Sequence, residues 1–248
     1  MDIIDWLTNP ENWNGPGSIP FQTLMHLIYS LIALAFAAVI AVPLGVFVGH
    51  TGKGESLIMG SVNAMRALPT LGLLILLVLI IAPVFSSNLA FVVPSLIVLV
   101  LLAIPPILSG VASGIRAIDR SVIDAARGMG YSTWEIVWKI EIPCSLPLTI
   151  SGLRGATLQI VSTATVAAYV SLDGLGRFII DGRAGNDYAE MAGGAIVLAV
   201  LAILLELCFA LLGRVLISPG LTRREQTKKR PRAAGFDTET AALGVVRT

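Results

Sequence analysis

Long uninterrupted apolar runs constrain this chain more than any other feature. They lie at about Phe21–Val48, Thr70–Phe85, Leu89–Gly114, Leu146–Val170 and Met191–Ile217. The hydrocarbon core of a bilayer is crossed by about 20 helical residues, and these runs approach or exceed that length. Apolar residues make up 55% of the 248, and charged residues only 13%. A soluble domain carries about 25% charged residues. The fold class that follows is all-α, a polytopic membrane protein with a five-span core.

Prolines and charges organise the runs. The second span is expected to begin as an interfacial helix near Glu55, break at Pro69 and cross from Thr70. Pro105-Pro106 should distort the third, because proline lacks the amide proton and crowds the preceding turn. Gly45 and Gly49, and again Gly110 and Gly114, repeat at a four-residue spacing that permits close helix contact. Lys53, then Arg116, Arg120, Arg127 and Lys139, and then Arg214, Arg223, Arg224, Lys228, Lys229, Arg230 and Arg232 fall on one side of the membrane. The other side has Arg177 and Arg183, offset by Asp173, Asp181, Asp187 and Glu190. Basic residues favour the cytoplasmic side. Five spans then place the N-terminus outside and the C-terminus in the cytoplasm.

Three regions result. Residues 1–20 form an extracytoplasmic lead, with Trp6 and Trp13 expected at headgroup level. This lead lacks Lys, Arg and an apolar h-region, so it does not read as a cleavable signal. Residues 21–218 form the membrane domain, with a charged cytoplasmic loop at 115–143. Residues 219–248 have too few large apolar side chains to fold alone and are expected to be a disordered basic tail. Cys144 lies in the polar loop and Cys208 deep in the last run, so no disulfide is expected.

The charged loop is patterned. Asp124-Ala125-Ala126 is followed after three residues by Gly130, and after nine more by Ile140-Glu141-Ile142-Pro143. Ser121 is expected to cap a short helix, with Asp124 at its positive end. Ala125 and Ala126 favour helix and leave room for a close partner. Gly130 supplies a turn that side chains resist. Ser132 and Glu135 have capping-box spacing for a second helix, which Pro143 is expected to stop.

This spacing resembles the EAA signature of bacterial ABC-importer permeases, with Asp124 standing where Glu is usual. Asp keeps the charge but is shorter by one methylene. The likeness extends from about Phe21 to Leu221 and is to the methionine- and molybdate-type permease fold. His26-Leu27 with Ser30, Pro43-Leu44-Gly45, Arg66-Ala67-Leu68-Pro69-Thr70-Leu71, Asp173 to Ile179 with Gly182, Gly193-Gly194 and Leu204 to Glu206 are similar to the glycine betaine/carnitine/choline permeases. The resemblance implies a subunit that is not an enzyme and binds no cofactor, with ATP and Mg on a partner. Its partners would be two ABC ATPase subunits, a second permease chain (identical or paralogous), an extracytoplasmic solute-binding protein and membrane lipid, with no nucleic acid. It implies the bacterial cytoplasmic membrane, a compatible-solute cargo such as glycine betaine, choline, carnitine or proline betaine, and ATPase coupling through Asp124, Ala125, Ala126, Gly130, Ile140 and Pro143. Methionine or another amino acid is the alternative cargo; a secondary transporter or channel is the alternative class.

Other residues suggest a path and a buried pair. Gly49-His50-Thr51-Gly52-Lys53-Gly54 looks like a phosphate loop, but Gly54 stands where Ser or Thr must reach magnesium. Gln159, Ser162, Thr163 and Val166 fall on one helical stripe. With Thr70 and Tyr169, the polar members are the candidate translocation path. Glu206 lies within the fifth span, where a lone carboxylate is costly. Arg154 is placed to pair with it, and Arg214 lies two turns along the same helix. Only 6% of residues are aromatic, too few mid-membrane for a cation–π cage, so tight solute recognition is expected on the external binding protein.

Overall fold

The computed structural model describes residues 2–56, 60, 61, 64, 69–85 and 87–216. Much of the expected interfacial helix near Glu55, the Arg66 to Leu68 part of the second-span motif and the tail 219–248 lie outside these residues. The described helices are α1 (Ile3–Thr8), α2 (Ile19–Thr51), α3 (Thr70–Ile81), α4 (Leu89–Arg116), α5 (Arg120–Gly128), α6 (Thr133–Ile136), α7 (Ile142–Ala167), α8 (Gly176–Ala184) and α9 (Tyr188–Leu216). Strands are absent among the described residues.

Four continuous helical stretches are long and apolar enough to cross a bilayer: α2, α4, Thr133–Val170 and α9. The stretch Thr70–Val84 is apolar but shorter. Ser18 starts α2 by accepting from the Phe21 amide, with Pro20 in the first turn, where its missing N–H costs nothing. Gly52, at φ +68°, ends it.

The core is a three-helix assembly in which α4 packs on α2 and α7. Ala33, Ala37, Ala41, Leu99, Ala103, Ile107, Val111, Ala156 and Ile160 fill it. The glycine repeats make the contact possible. A Cβ at Gly45 would lie 2.7 Å from Val111 Cβ, and one at Gly49 2.8 Å from Ile115 Cβ. On the opposite face of α4, a Cβ at Gly110 would lie 2.7 Å from the Leu148 carbonyl oxygen, and one at Gly114 2.8 Å from that of Ser145. Dispersion across such close backbones holds helices together where lipid offers no hydrophobic drive.

Two sequence expectations are corrected. Trp6 does not sit free at a headgroup: it is buried, edge-on to Phe178 with ring centroids 5.2 Å apart. Gly193 lies directly beneath its ring, and a side chain there would collide with it. The lead therefore folds onto α8 and α9. Pro143 does not stop the helix either. It sits in the first turn of α7, directly after a π-helical turn, Val137–Glu141. In that turn the Ile142 amide bonds to the Val137 carbonyl, so the wider winding absorbs the proline and the helix runs on.

Candidate functional site: the charged loop between α4 and α7

The segment between α4 and α7 forms a compact knuckle. Its first helix, α5, is capped two residues earlier than Ser121 suggested. Asp119 has extended backbone and accepts from the Ser121 amide at 3.0 Å. A carboxylate one residue before the helix satisfies the free amides, which leaves Ser121 inside the first turn. Asp124 is exposed, 4.0 Å from Arg127. The two alanines divide their work: Ala125 is exposed, whereas Ala126 is 1% exposed beneath the helix. Asp124 and Ala125 thus form the exposed edge of α5, while Ala126 anchors the helix from below.

Gly130 closes α5. Its φ is +87°, its amide donates to the Arg127 carbonyl at 3.0 Å, and the Tyr131 amide donates to the Ala126 carbonyl at 3.1 Å. This is a Schellman ending, which places Gly at the left-handed position. Ser132 then caps α6, and Glu135 returns a carboxylate to the Ser132 amide at 3.0 Å, completing the capping box. Glu135 also accepts from Lys139 at 2.9 Å. The Lys139 ammonium and the Ser132 donors hold the Glu135 carboxyl down at about 2, and Glu135 raises Lys139 in turn. Ile136 and Val137 turn into the bundle. Trp134 and Trp138 stay exposed and pack edge to face, 5.9 Å apart. Ile140 is half-buried and Pro143 exposed.

Sequence reasoning missed a charged floor under this loop. A cavity of about 570 Å³ lies between the C-terminal ends of α2 and α4 and the loop, lined by His50, Glu55, Arg116, Arg120, Arg127 and Glu141 among others. Arg116 pairs with Glu55, and His50 with Glu141 at 2.9 Å. The available signal was Glu141 itself, an acid between two isoleucines and two residues before a proline, which needs a buried partner. His50 lay hidden within the phosphate-loop look-alike.

The membrane-facing candidates divide. On α7, Gln159 and Ser162 are exposed, while Thr163 is buried and accepts from Gln159 Nε2 at 3.3 Å. One residue is 100° on a helix, so the expected stripe straddles the edge of the bundle and Thr163 falls behind it. Tyr169 is exposed and Thr70 half-buried. Arg154 Nε donates to Glu206 at 2.7 Å, joining α7 to α9. Arg214 is exposed and has no such pair among the described residues. At the opposite end of α2 from His50, the Gly174 amide donates to buried Gln22, and His26 Nε2 donates to the Val161 carbonyl at 3.1 Å. Gly174 has φ +135°, and a Cβ there would press on His26 Nδ1 at 3.1 Å.

The described residues thus form an all-helical bundle of membrane-spanning length with a capped, exposed loop over a charged cavity. The chain belongs to the family of binding-protein-dependent transport system inner membrane components, whose model matches residues 41–218. It is 30% identical over 205 residues to the glycine betaine/carnitine/choline transport system permease protein OpuCB of Bacillus subtilis, covering 83% of this chain and 91% of that protein. It is 32% identical to the carnitine transport permease protein OpuCD of Listeria monocytogenes, covering 87% and 94%. Among solved structures, the inward-facing MetNI methionine ABC transporter superposes with a TM-score of 0.70 at 22% identity, covering 85% of this chain and all of that one. That last likeness is of fold. The chain is thus a pore-forming, multi-pass inner-membrane subunit, and its family works with a partner ATPase and a binding protein.

Proposed function

We propose that this permease serves an ATP-driven importer of a compatible solute: glycine betaine, choline, carnitine or proline betaine. The names of its relatives at 30% and 32% identity support that cargo. Two permease chains, identical or paralogous, form the pore, and two ATPase subunits bind from the cytoplasm with their own ATP and Mg. The N-terminus lies outside and the C-terminus inside, which puts α5 in the cytoplasm with the basic loops.

The observation that carries the mechanism is the exposed Asp124–Ala125 edge on a helix fixed at both ends, by Asp119 and by Gly130. A rigid, small-surfaced helix of this kind can seat in a groove and pass on a rigid-body motion. Ile140 and Pro143 carry that motion through the π turn into α7. Exposed Gln159, Ser162 and Tyr169, with Thr70, line the path, and Thr163 steadies Gln159 from behind. The Arg154–Glu206 pair ties α7 to α9 as a structural element. A conduit of this kind binds solute weakly; the external protein supplies the affinity.

Uptake of radiolabelled glycine betaine, choline, carnitine and methionine into vesicles holding the complex purified through this chain tests the reading. Uptake of the first three, dependent on ATP and on the binding protein, is expected. Methionine alone being moved would overturn the cargo.

A further inference from the structure

The loop has two covalent exits into the bundle, backwards into α4 and forwards through the π turn into α7. Helix α2 has neither, yet it is tied to the π turn by one polar contact. Glu141 is the last residue of that turn, and its side chain is only 7% exposed. His50 Nδ1 donates to both of its carboxylate oxygens, each at 2.9 Å. His50 occupies the last turn of α2, where the helix dipole favours a cation. Removing His50 leaves the Glu141 carboxylate buried without its match.

The other end of α2 makes a second long-range polar contact. Gln22 accepts from the Gly174 amide in the loop between α7 and α8, and His26 beside it donates to the Val161 carbonyl on α7. Between His26 and His50, α2 is one continuous helix, about 36 Å at 1.5 Å per residue. Its inner third cannot slide freely on α4, because Gly45 and Gly49 seat Val111 and Ile115 against the backbone.

The geometry points to the His50–Glu141 pair as the positioning contact through which displacement of the coupling loop reaches α2, and through α2 the outer Gly174 loop. The inference rests on the proposed docking of an ATPase at α5. The π turn is the reason such a contact is needed. A wide turn holds its shape less firmly than an α-helix, so without a strut its motion would dissipate locally. The same strut carries the signal inward, from an occupied outer face to the ATPase.

The test uses the complete complex in lipid nanodiscs and in vesicles, with His50→Gln, Glu141→Gln and the exchange His50→Glu with Glu141→His. Three quantities are read: basal ATP turnover, its stimulation by loaded binding protein, and labelled glycine betaine moved per ATP. The single variants are expected to keep basal turnover and to lose stimulation and solute per ATP by about tenfold, within the usual range of coupling energies. The exchange is expected to restore both, which a merely structural deletion would not. Single variants with both ratios intact would overturn the inference. So would an exchange that recovers nothing, including where the single variants fail to assemble. An unmodified complex that shows no ATP-dependent uptake would instead remove the docking reading, and the strut with it.

Discussion

Replacing Gly130 by alanine isolates one term of the coupling mechanism. A Cβ at this position meets nothing within 4 Å, so the substitution adds no clash. What it adds is backbone strain, because φ is +87°. Left-handed backbone costs a non-glycine residue about 1–2 kcal/mol. The two hydrogen bonds that close the turn, from Gly130 and Tyr131 to the Arg127 and Ala126 carbonyls, oppose the strain with about 0.5–1.5 kcal/mol each. The terms are comparable, so the turn should loosen and remain partly formed. A strain of 1–2 kcal/mol lowers the ratio of closed to open turn by about 5–30, which from near balance lowers the docking-competent fraction by a factor of about 3–15. Apparent affinity for the ATPase falls by the same factor. Titrating purified ATPase onto nanodisc-held permease reads it. Gly130→Asn should fall between, since Asn tolerates this region better. Gly128→Ala, two residues earlier at an ordinary φ with open space around it, should bind as the parent does. Equal affinities for Gly130→Ala and Gly128→Ala would refute the reasoning.

Gly110→Ala would place a methyl against the Leu148 carbonyl and the Gly152 backbone, neither of which can yield cheaply; a loss of about 1–3 kcal/mol is expected. Thermal unfolding in detergent checks it, with Gly155→Ala, where the space is open, as the silent control. A reporter fused after Ser86 should behave as extracytoplasmic and one after Arg120 as cytoplasmic; the reverse pattern would overturn the orientation. The Glu135 carboxyl should titrate at about 2, below the ordinary 4.5. Because the folded value is the lower one, its contribution to the loop is complete above about 4.5 and fades as pH falls towards 2. A titration midpoint near 4.5 by carboxyl-detected NMR would mean that the capping box does not persist in solution.

How much could be read from sequence differs between the fold and the site. Apolar run length placed the long helices to within a few residues, because crossing a bilayer leaves few other solutions. The glycine repeats permitted close packing but, among 24 glycines, did not single it out; Val111, Ile115, Gly152 and Ser145 are what they pack against. The Gly130 turn and the Ser132–Glu135 box were legible because caps are local chemistry. The cap at Asp119 was not separable from Ser121, since either residue can accept the amide and the choice depends on where α4 ends. Trp6 was misplaced because an aromatic in a polar lead looks the same whether it meets lipid or a glycine 187 residues on, at Gly193. The His50–Glu141 and Gln22–Gly174 contacts join residues 91 and 152 positions apart, and no periodicity carries that information. Ala125 and Ala126 were read alike; only the packed structure shows that one faces out and the other in.

The central claim is that this chain moves solute only when a separate ATPase grips the Asp124–Gly130 knuckle. Labelled glycine betaine uptake should be measured in vesicles containing the permease with its binding protein, with and without the ATPase, and again with Asp124→Lys. Uptake that needs both ATPase and ATP, and that collapses together with ATPase binding in Asp124→Lys, is the predicted result. Equal uptake by the permease without any ATPase would contradict it.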